Sequence, residues 1–292
     1  MNILLFGASG QVGSEVYKLL SKKYSLYRFK SSELDLRNTK MIHKKFKEIK
    51  PDFVINAAAY TDVRLSEEDK FHAREINVNG VHNLARYCKE FSSALCHLST
   101  DYVFGGNNNA PYKEDDLTGP INLYGQTKLE GEEVIRELHD KHLIIRTSWV
   151  FGNGQNFVKT MLQLANDKKE LSVIDDQFGG PTSALAIAKC IKSMIEHYSS
   201  SLNMPWGTYH FCGQPKTSWH EFAEEIFAIS KKKKIINHFP AVNSISSNDF
   251  FDKVRRPKNS YLDCSKIRLN FGIEQPFWKK DLQLYLDDLI GG

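Results

Sequence analysis

Three glycines separated by two residues each constrain the fold of this chain more than any other feature. They follow an apolar stretch at residues 3–6 and open an amphipathic stretch at 11–22. Glycine permits a tight turn from a buried strand into a helix, where unpaired N–H groups attract a phosphate. The pattern therefore predicts a dinucleotide site, and a plain strand–helix turn is the alternative. The residues expected at the pyrophosphate are Gly7, Gly10, Gln11, Val12 and Gly13.

Short apolar runs alternate with amphipathic stretches through the first half of the chain. Because parallel strands need helical crossovers, this alternation predicts an α/β protein with a doubly wound parallel sheet. The expected strands are residues 3–6, 25–29, 53–56, 94–98 and 143–145, and the expected helices are 11–22, 39–49, 73–91 and 128–138.

The alternation loosens after Trp149, which predicts a smaller C-terminal substrate-binding domain beside the sheet. Helices are expected at 157–165, 184–198 and 222–229, a strand at 207–211 and a loop at 243–249. We expect residues 1–153 to form the dinucleotide-binding domain and 184–213 to join it. The substrate-binding portion then comprises 154–183 and 214–292.

Composition and charge favour a cytoplasmic protein with small-molecule partners. The 292 residues carry 39 basic and 35 acidic side chains, a net charge of +4. The lysine run at 231–234 has no interleaved aromatic residues, so it indicates a solvated helix end rather than a nucleic-acid patch. Five scattered cysteines indicate reduced packing residues. The apolar start is too short to span a membrane and lacks a signal-peptide cleavage pattern, so no membrane partner is expected.

The residues after the second and third strands bear on the choice of cofactor. An acid after the second strand would hold the ribose 2′-hydroxyl of NAD, but this chain has Lys30 and Ser31, which suit a 2′-phosphate. The sequence therefore favours NADPH and leaves NADH open. Asp35, followed by Leu36, is placed to accept a hydrogen bond from the adenine amino group. The small residues at 57–59 allow the cofactor to cross the sheet edge, and tight helix packing is the alternative.

Tyr124 and Lys128 lie one helical turn apart, downstream of Thr100 at a predicted strand end. Reduction of a carbonyl needs a hydride donor and an acid that protonates the developing alkoxide. A free phenol has a pKa of about 10, which a nearby ammonium and an oxidised nicotinamide would lower. We therefore predict Tyr124 as the proton donor, Lys128 as the group that tunes it and holds the nicotinamide ribose, and Thr100 as a hydrogen-bond donor to the carbonyl oxygen.

Several motifs together resemble the dTDP-4-dehydrorhamnose reductase family of the extended short-chain dehydrogenase/reductase superfamily. The resemblance covers essentially the whole chain. It rests on the segments at 2–7, 10–13, 56–61, 99–104, 124–132, 146–150, 176–182 and 255–260. It implies a Rossmann-like fold and an NADPH-dependent reduction of a nucleotide-linked 4-ketosugar, dTDP-4-dehydro-L-rhamnose, in deoxysugar and surface-polysaccharide synthesis. A sister 4-ketoreductase or epimerase for another 6-deoxysugar, or a non-catalytic NADP-binding subunit, are the alternatives.

The resemblance also implies roles for individual residues. The implied cofactor contacts are Gly10, Gln11, Val12, Asp35, Ala58, Ala59, Tyr60, Tyr124 and Lys128, and the implied sugar-nucleotide contacts are Thr100, Asp101 and Trp149. Trp149 offers a flat apolar face to a sugar ring, or is a core tryptophan. Arg255 and Arg256 would neutralise the diphosphate, or form surface ion pairs.

Two departures from the family pattern stand out. Arg64 replaces an acid on the expected substrate side, which bears on the identity of the sugar. Some relatives bridge a dimer through Mg²⁺ with a first-helix glutamate and a second carboxylate. Glu15 is present here, but residues 183–186 carry no acid, so no metal site is expected. A homodimer of another kind stays open.

Overall fold

The computed structural model describes residues 1–201, 203–250 and 254–291. Within these ranges the central sheet has six strands, all paired in parallel, in the order β10-β5-β4-β3-β1-β2. Its strands are β1 (Asn2–Phe6), β2 (Ser25–Phe29), β3 (Phe53–Asn56), β4 (Ala94–Thr100), β5 (His142–Thr147) and β10 (Gly207–His210). The strand order reverses between β1 and β3, and in open parallel sheets the ligand crevice lies at such a reversal.

Helices cover both faces of the sheet, which makes the fold the doubly wound, Rossmann-like one that the sequence predicts. The helices are α1 (Gln11–Leu20), α2 (Thr39–Ile49), α3 (Val63–Glu68), α4 (Lys70–Arg74), α5 (Val81–Glu90), α6 (Leu123–Leu138), α7 (Phe157–Asp167), α8 (Ala184–Ser200), α9 (Trp219–Lys232), α10 (Ser265–Phe271) and α11 (Trp278–Gly291). On one face α1 packs against α8, and on the other α2 packs against α5. Each face buries its own apolar core, because strands covered on both sides are apolar throughout.

A third core lies away from the sheet, among α7, α9 and α11. Short strand pairs border it: β6 (Val150–Phe151) with β9 (Thr182–Ser183), β7 (Glu170–Ile174) with β12 (Ala241–Ile245), and β8 (Phe178–Gly179) with β11 (Thr217–Ser218). The helix α8 and the strand β10 contribute to the core of the sheet instead. This distribution favours the division predicted from the sequence, with 184–213 joining the first domain, and the division stays a prediction.

Two sequence predictions of secondary structure are wrong. Residues 243–245 belong to β12, not to a loop, because they pair in register with β7 about 70 positions earlier. The expected helix at 73–91 is interrupted by a π-helical turn, Glu75–Gly80, between α4 and α5. In that turn the Asn77 side chain accepts from the Tyr60 N–H and donates to the Tyr60 carbonyl. The wider turn therefore ties the segment after β3 to the helices.

Other predictions about the surface and the thiols agree with the structure. The last turn of α9 contains Lys231 and Lys232, as expected for a helix end. All five cysteines lie in the described ranges and are buried free thiols. No helix within the described residues is both long enough and apolar enough to cross a membrane.

Candidate active site

A cleft of about 1060 Å³ opens at the carboxyl ends of β1, β3 and β4, where the strand order reverses. Its walls come from the glycine turn after β1, the segment after β3, the start of α6, and the residues after β5. Trp219 of α9 and Arg256 line the side nearest the third core. The cleft thus joins the two portions of the chain.

The glycine turn has no room for side chains at two of its three glycines. Gly7 has a φ of 75°, and a methyl group there would lie 2.5 Å from the backbone of Ala57. A methyl group on Gly13 would lie 2.1 Å from the Gly7 carbonyl oxygen. No side chain caps α1 at Gly10, so its first N–H groups face the cleft. This cradle suits a pyrophosphate, which is the group that the glycine pattern predicts.

The Gln11 side chain is fixed from across the cleft. Its Oε1 accepts a hydrogen bond from Asn156 Nδ2 at 3.1 Å, and the same amide nitrogen donates to the Gly152 carbonyl. Residues 153–156 line the cleft opposite the glycine turn. Sequence reasoning missed this loop, although its Gly and Asn residues are typical of a tight connection.

Asp35 lies in the cleft as predicted, but Arg37 holds its carboxylate. The Arg37 guanidinium donates to both oxygens, with a shortest distance of 2.6 Å. This bond lowers the pKa of Asp35. Ser31, Ser32 and Arg37 line the cleft, whereas Lys30 is exposed and outside its lining. Arg37 is therefore the cation that lines the cleft beside Asp35, and the role predicted for Lys30 stays a prediction.

The start of α6 brings Tyr124 to the end of β4. Asn122 caps the helix through its Oδ1, which accepts from the Gly125 N–H at 2.9 Å. A methyl group on Gly125 would lie 2.1 Å from the Tyr102 carbonyl oxygen, so glycine lets the helix approach. The rings of Tyr102 and Tyr124 meet edge to face, 5.9 Å apart. Tyr124, Lys128 and Thr100 consequently share one cleft.

Protonation around Tyr124 differs from the sequence expectation. Burial raises the pKa of the Tyr124 phenol, and the Thr100 hydroxyl opposes that rise. Thr100 Oγ1 donates to Asp101 Oδ1 at 3.0 Å. Burial also raises the pKa of Asp101 to about 7, although hydrogen bonds from the Ser260 and Thr100 hydroxyls oppose this rise. The Tyr124 phenol therefore keeps its proton at neutral pH.

Lys128 is almost completely buried, with 2% of its surface exposed. Its Nζ lies 2.7 Å from the Leu98 carbonyl oxygen and 3.1 Å from His97 Nε2. Burial lowers the pKa of Lys128 to about 8, although the charge of Glu132 opposes this shift. Burial thus disfavours the ammonium form of this lysine relative to an exposed one.

The hydroxyl of Ser99, next to Thr100, is bound to a buried carboxylate of α6. It donates to Glu132 Oε1 at 2.5 Å. The same carboxylate accepts from the Arg146 guanidinium at 2.8 Å and from Arg136 at 3.0 Å. Glu132 and Arg146 are 0% and 2% exposed, so this buried ion pair fixes α6 against β4 and β5.

Trp149 lies in the cleft with a neighbour that the sequence did not reveal. Its ring stacks on Trp219, with centroids 3.5 Å apart and planes 6° apart. Trp149 has a φ of 46°, and a methyl group on Gly179 would lie 2.4 Å from its ring. A strained backbone, here packed against a position where only glycine fits, is typical of functional sites.

The structure brings most of the predicted residues together. The predicted residues that line the cleft are Gly7, Gly10, Gln11, Val12, Asp35, Leu36, Ala58, Ala59, Thr100, Asp101, Tyr124, Lys128, Trp149 and Arg256. Gly13, Lys30, Tyr60 and Arg255 are outside the lining: Gly13 packs under the turn, Tyr60 is held by Asn77, and Lys30 and Arg255 are exposed. Arg64 is exposed on α3, where Asp62 caps the helix.

Known proteins resemble the chain over nearly its full length. The family model described as the RmlD substrate binding domain matches residues 1–290. A dTDP-4-dehydrorhamnose reductase from Aggregatibacter actinomycetemcomitans is 41% identical, over 96% of this chain and 97% of that protein. The crystal structure of such a reductase from Clostridium acetobutylicum has a TM-score of 0.92 at 37% identity, covering 99% of this chain and 100% of that one.

A second solved structure, dTDP-4-dehydrorhamnose reductase from Bacillus anthracis in complex with NADP, has a TM-score of 0.90 at 34% identity. The match covers 98% of this chain and 99% of that one. The fold, the glycine turn and the Tyr124–Lys128 pair agree with this likeness. The chain therefore belongs to the RmlD family of dTDP-4-dehydrorhamnose reductases.

Proposed function

We propose that the protein reduces the 4-keto group of dTDP-4-dehydro-L-rhamnose to give dTDP-L-rhamnose, with NADPH as the cofactor. The observation that carries the proposal is one cleft that contains the glycine turn together with Thr100, Tyr124 and Lys128. The names of the relatives support the substrate, and the NADP complex of the Bacillus anthracis protein supports the cofactor. The reaction belongs to deoxysugar synthesis for surface polysaccharides.

The residues at the end of β4 and the start of α6 supply the proton chemistry. NADPH, when bound, supplies the hydride that adds to the carbonyl carbon. Tyr124 gives its phenolic proton to the carbonyl oxygen as negative charge develops there. Thr100 donates a hydrogen bond to the same oxygen, which strengthens as the charge grows. Lys128 adjoins this site and holds the nicotinamide ribose.

The cofactor site fits a dinucleotide with a 2′-phosphate. The turn at Gly7, Gly10 and Gly13 would hold the pyrophosphate at the start of α1, because unpaired N–H groups at a helix start attract phosphate and no side chain fits at Gly7 or Gly13. Arg37 and Ser31 line the cleft at the adenosine end, where a phosphate dianion needs cationic and hydroxyl donors. Ala58 and Ala59 leave room for the cofactor along the sheet edge.

The sugar nucleotide would lie between the two portions of the chain. Trp149 and Trp219 form an apolar wall suited to a sugar ring, and Arg256 places a guanidinium in the same cleft for the diphosphate. Asp101 lies beside Thr100 in the same cleft and would bond a sugar hydroxyl.

The test is to incubate the protein with dTDP-4-dehydro-L-rhamnose and either NADPH or NADH, and to follow the absorbance of the reduced nicotinamide. We expect oxidation of NADPH and a product whose NMR spectrum is that of dTDP-L-rhamnose. A panel of other nucleotide 4-ketosugars serves as the control for specificity. Failure to oxidise NADPH with this substrate, or faster turnover of another ketosugar, would refute the assignment.

The homodimer and the cytoplasmic location are sequence predictions that we carry forward as proposals. Sedimentation of the purified protein tests the first, and fractionation of cells that express the full chain tests the second. A monomer at all concentrations would contradict the dimer.

A further inference from the structure

A line of buried polar groups runs from Lys128 to the backbone that follows β3. Lys128 Nζ lies 3.1 Å from His97 Nε2. On the other side of the ring, His97 Nδ1 lies 3.0 Å from Asn56 Nδ2, and Asn56 Oδ1 accepts from the Ala58 N–H at 3.1 Å. His97 and Asn56 are 0% and 1% exposed, so these groups bond to one another rather than to bulk water.

The hydrogen atoms in this line can be assigned by counting donors. The Ala58 N–H can only donate, so Asn56 must turn its oxygen to it and its amide N–H₂ to His97. His97 Nδ1 is then an acceptor. A neutral imidazole carries one proton, which must therefore be on Nε2, facing Lys128. Burial, followed by the charge of Lys128, keeps the pKa of His97 well below its usual range, so the ring is neutral.

An ammonium at Lys128 does not fit this arrangement of hydrogen-bond donors and acceptors. Its N–H groups would face the Nε2–H of His97 at 3.1 Å, donor against donor. A neutral amine has a lone pair that accepts from Nε2–H while an N–H of the same amine donates to the Leu98 carbonyl. The alternative ring tautomer would satisfy an ammonium only by leaving two donors, Nδ1–H and Asn56 Nδ2, facing each other.

We propose that Asn56 and His97 are positioning residues that set the charge of Lys128, with His97 donating from Nε2 to a lysine amine. This inference deepens the proposed reduction and rests on the role of Lys128 in it. The polar line that begins at the Ala58 N–H thus adds to burial in disfavouring the charged form of Lys128. The backbone at Ala58, after β3, and Lys128 of α6 are thereby coupled through hydrogen bonds.

The charge of Lys128 also depends on the other titratable groups around it. Glu132, one turn further along α6, favours the ammonium, but Arg146 of β5 and Arg136 of α6 neutralise that carboxylate. Burial keeps the phenol of Tyr124, one turn earlier, neutral, whereas it raises the pKa of Asp101, after β4, to about 7, so that carboxyl group is ionised in part at neutral pH. From β4 and β3, His97 and Asn56 are the groups in line with Nζ. The uncharged side chains of His97 and Asn56 therefore decide between the amine and the ammonium form of Lys128.

The first test reads the tautomer directly and needs no activity. Two-bond ¹H–¹⁵N spectra of protein labelled at histidine distinguish a ring protonated at Nε2 from one protonated at Nδ1, and the His97→Gln spectrum identifies the signals of His97. We expect the proton on Nε2 in the wild type. A wild-type ring that carries its proton on Nδ1 overturns the proposal, whether or not the protein reduces the ketosugar.

The second test reverses the order of donors. In Asn56→Asp both carboxylate oxygens accept, one from Ala58 N–H and one from the ring, so the His97 proton should move to Nδ1. Nε2 then accepts from a Lys128 ammonium, and the alkaline limb of kcat/KM should move up by about one pH unit or more. His97→Gln is the matched control, because an amide can accept from Asn56 and donate to Lys128, which should leave the limb in place.

The outcomes separate this proposal from the proposed reaction. An unmoved tautomer in Asn56→Asp, or an equal shift of the limb in both variants, overturns the role of the pair. The expected tautomers in a protein that oxidises no NADPH with dTDP-4-dehydro-L-rhamnose would instead refute the substrate assignment while the assigned hydrogen-bond order stands.

Discussion

The buried carboxylate of Glu132 offers the sharpest test of how α6 is held. It accepts from Ser99, Arg136 and Arg146, and the Arg146 guanidinium bonds it through two nitrogens at 2.8 and 3.0 Å. Burial raises the pKa of Glu132, but the charge and hydrogen bonds of Arg146 outweigh it, so the pKa is lowered overall. We expect Glu132→Gln to remove the charge and leave Arg146 buried without an ionic partner.

The expected loss of stability is large because one charge stays behind. Removing one partner of a buried ion pair costs about 3–5 kcal/mol, whereas replacing both partners by apolar residues of similar volume is often neutral. For a protein of this size that corresponds to a fall in Tm on the order of 10 °C. Glu132→Gln should therefore be much less stable than a double variant with Arg146→Met, although the double variant changes more atoms.

The pH dependence has a fixed sign. A carboxyl group whose pKa is lowered by folding contributes stability that is present above its unfolded pKa of about 4.3 and is lost as the pH falls through the folded pKa. The difference in unfolding free energy between wild type and Glu132→Gln should consequently be full at pH 7 and shrink in acid.

Thermal and urea unfolding of the wild type, both single variants and the double variant at pH 7 and in acid provide the measurement. Arg136→Gln is the control, because Arg136 is partly exposed and its pair with Glu132 should contribute about 1 kcal/mol or less. A Glu132→Gln variant within 1 kcal/mol of the wild type, or a double variant less stable than either single one, would refute the reasoning.

Three further predictions concern the cleft. Tyr124→Phe should lower kcat by about 10²- to 10⁴-fold and leave NADPH binding, followed by its fluorescence, unchanged; retained turnover would exclude Tyr124 as the proton donor. Gly13→Ala places a methyl group 2.1 Å from the Gly7 carbonyl oxygen, so NADPH affinity measured by calorimetry should fall, and wild-type affinity would contradict the cradle. Trp219→Ala removes the ring stacked on Trp149 and should raise KM for the nucleotide sugar more than KM for NADPH; equal changes would argue against a sugar-binding wall.

The order of the strands and helices could be predicted because each element has a strong local pattern. The observed bounds of α2, β2 and β3 are those expected from the sequence. The pairing of β7 with β12 could not be predicted, since both strands are short and half-exposed and lie about 70 residues apart in the sequence. The π-helical turn could not be predicted for a related reason: the hydrogen bonds between Asn77 and Tyr60 that accompany it span 17 residues.

Site residues were predictable where the chemistry lies in a local motif. The glycine turn and the Tyr124–Lys128 spacing are such motifs, and both lie in the cleft. Arg37 could not be told from Lys30, the first cation after the strand, because the sequence does not show which of the two lines the cleft. Trp219 and His97 were missed because each acts through a partner distant in sequence, Trp149 and Lys128 respectively.

The placement of Trp149 explains why the cleft needs both portions of the chain. The residue follows β5, yet its ring stacks on Trp219 of α9 and lies close to Gly179. A left-handed φ of 46° costs a non-glycine residue on the order of 1–3 kcal/mol, so packing elsewhere must hold it. The stack on Trp219 and the absence of a Cβ at Gly179 provide that packing. The stacked pair of Trp149 and Trp219 is therefore formed only once the third core is folded against the sheet, and we expect loosening of that core to weaken sugar binding before cofactor binding.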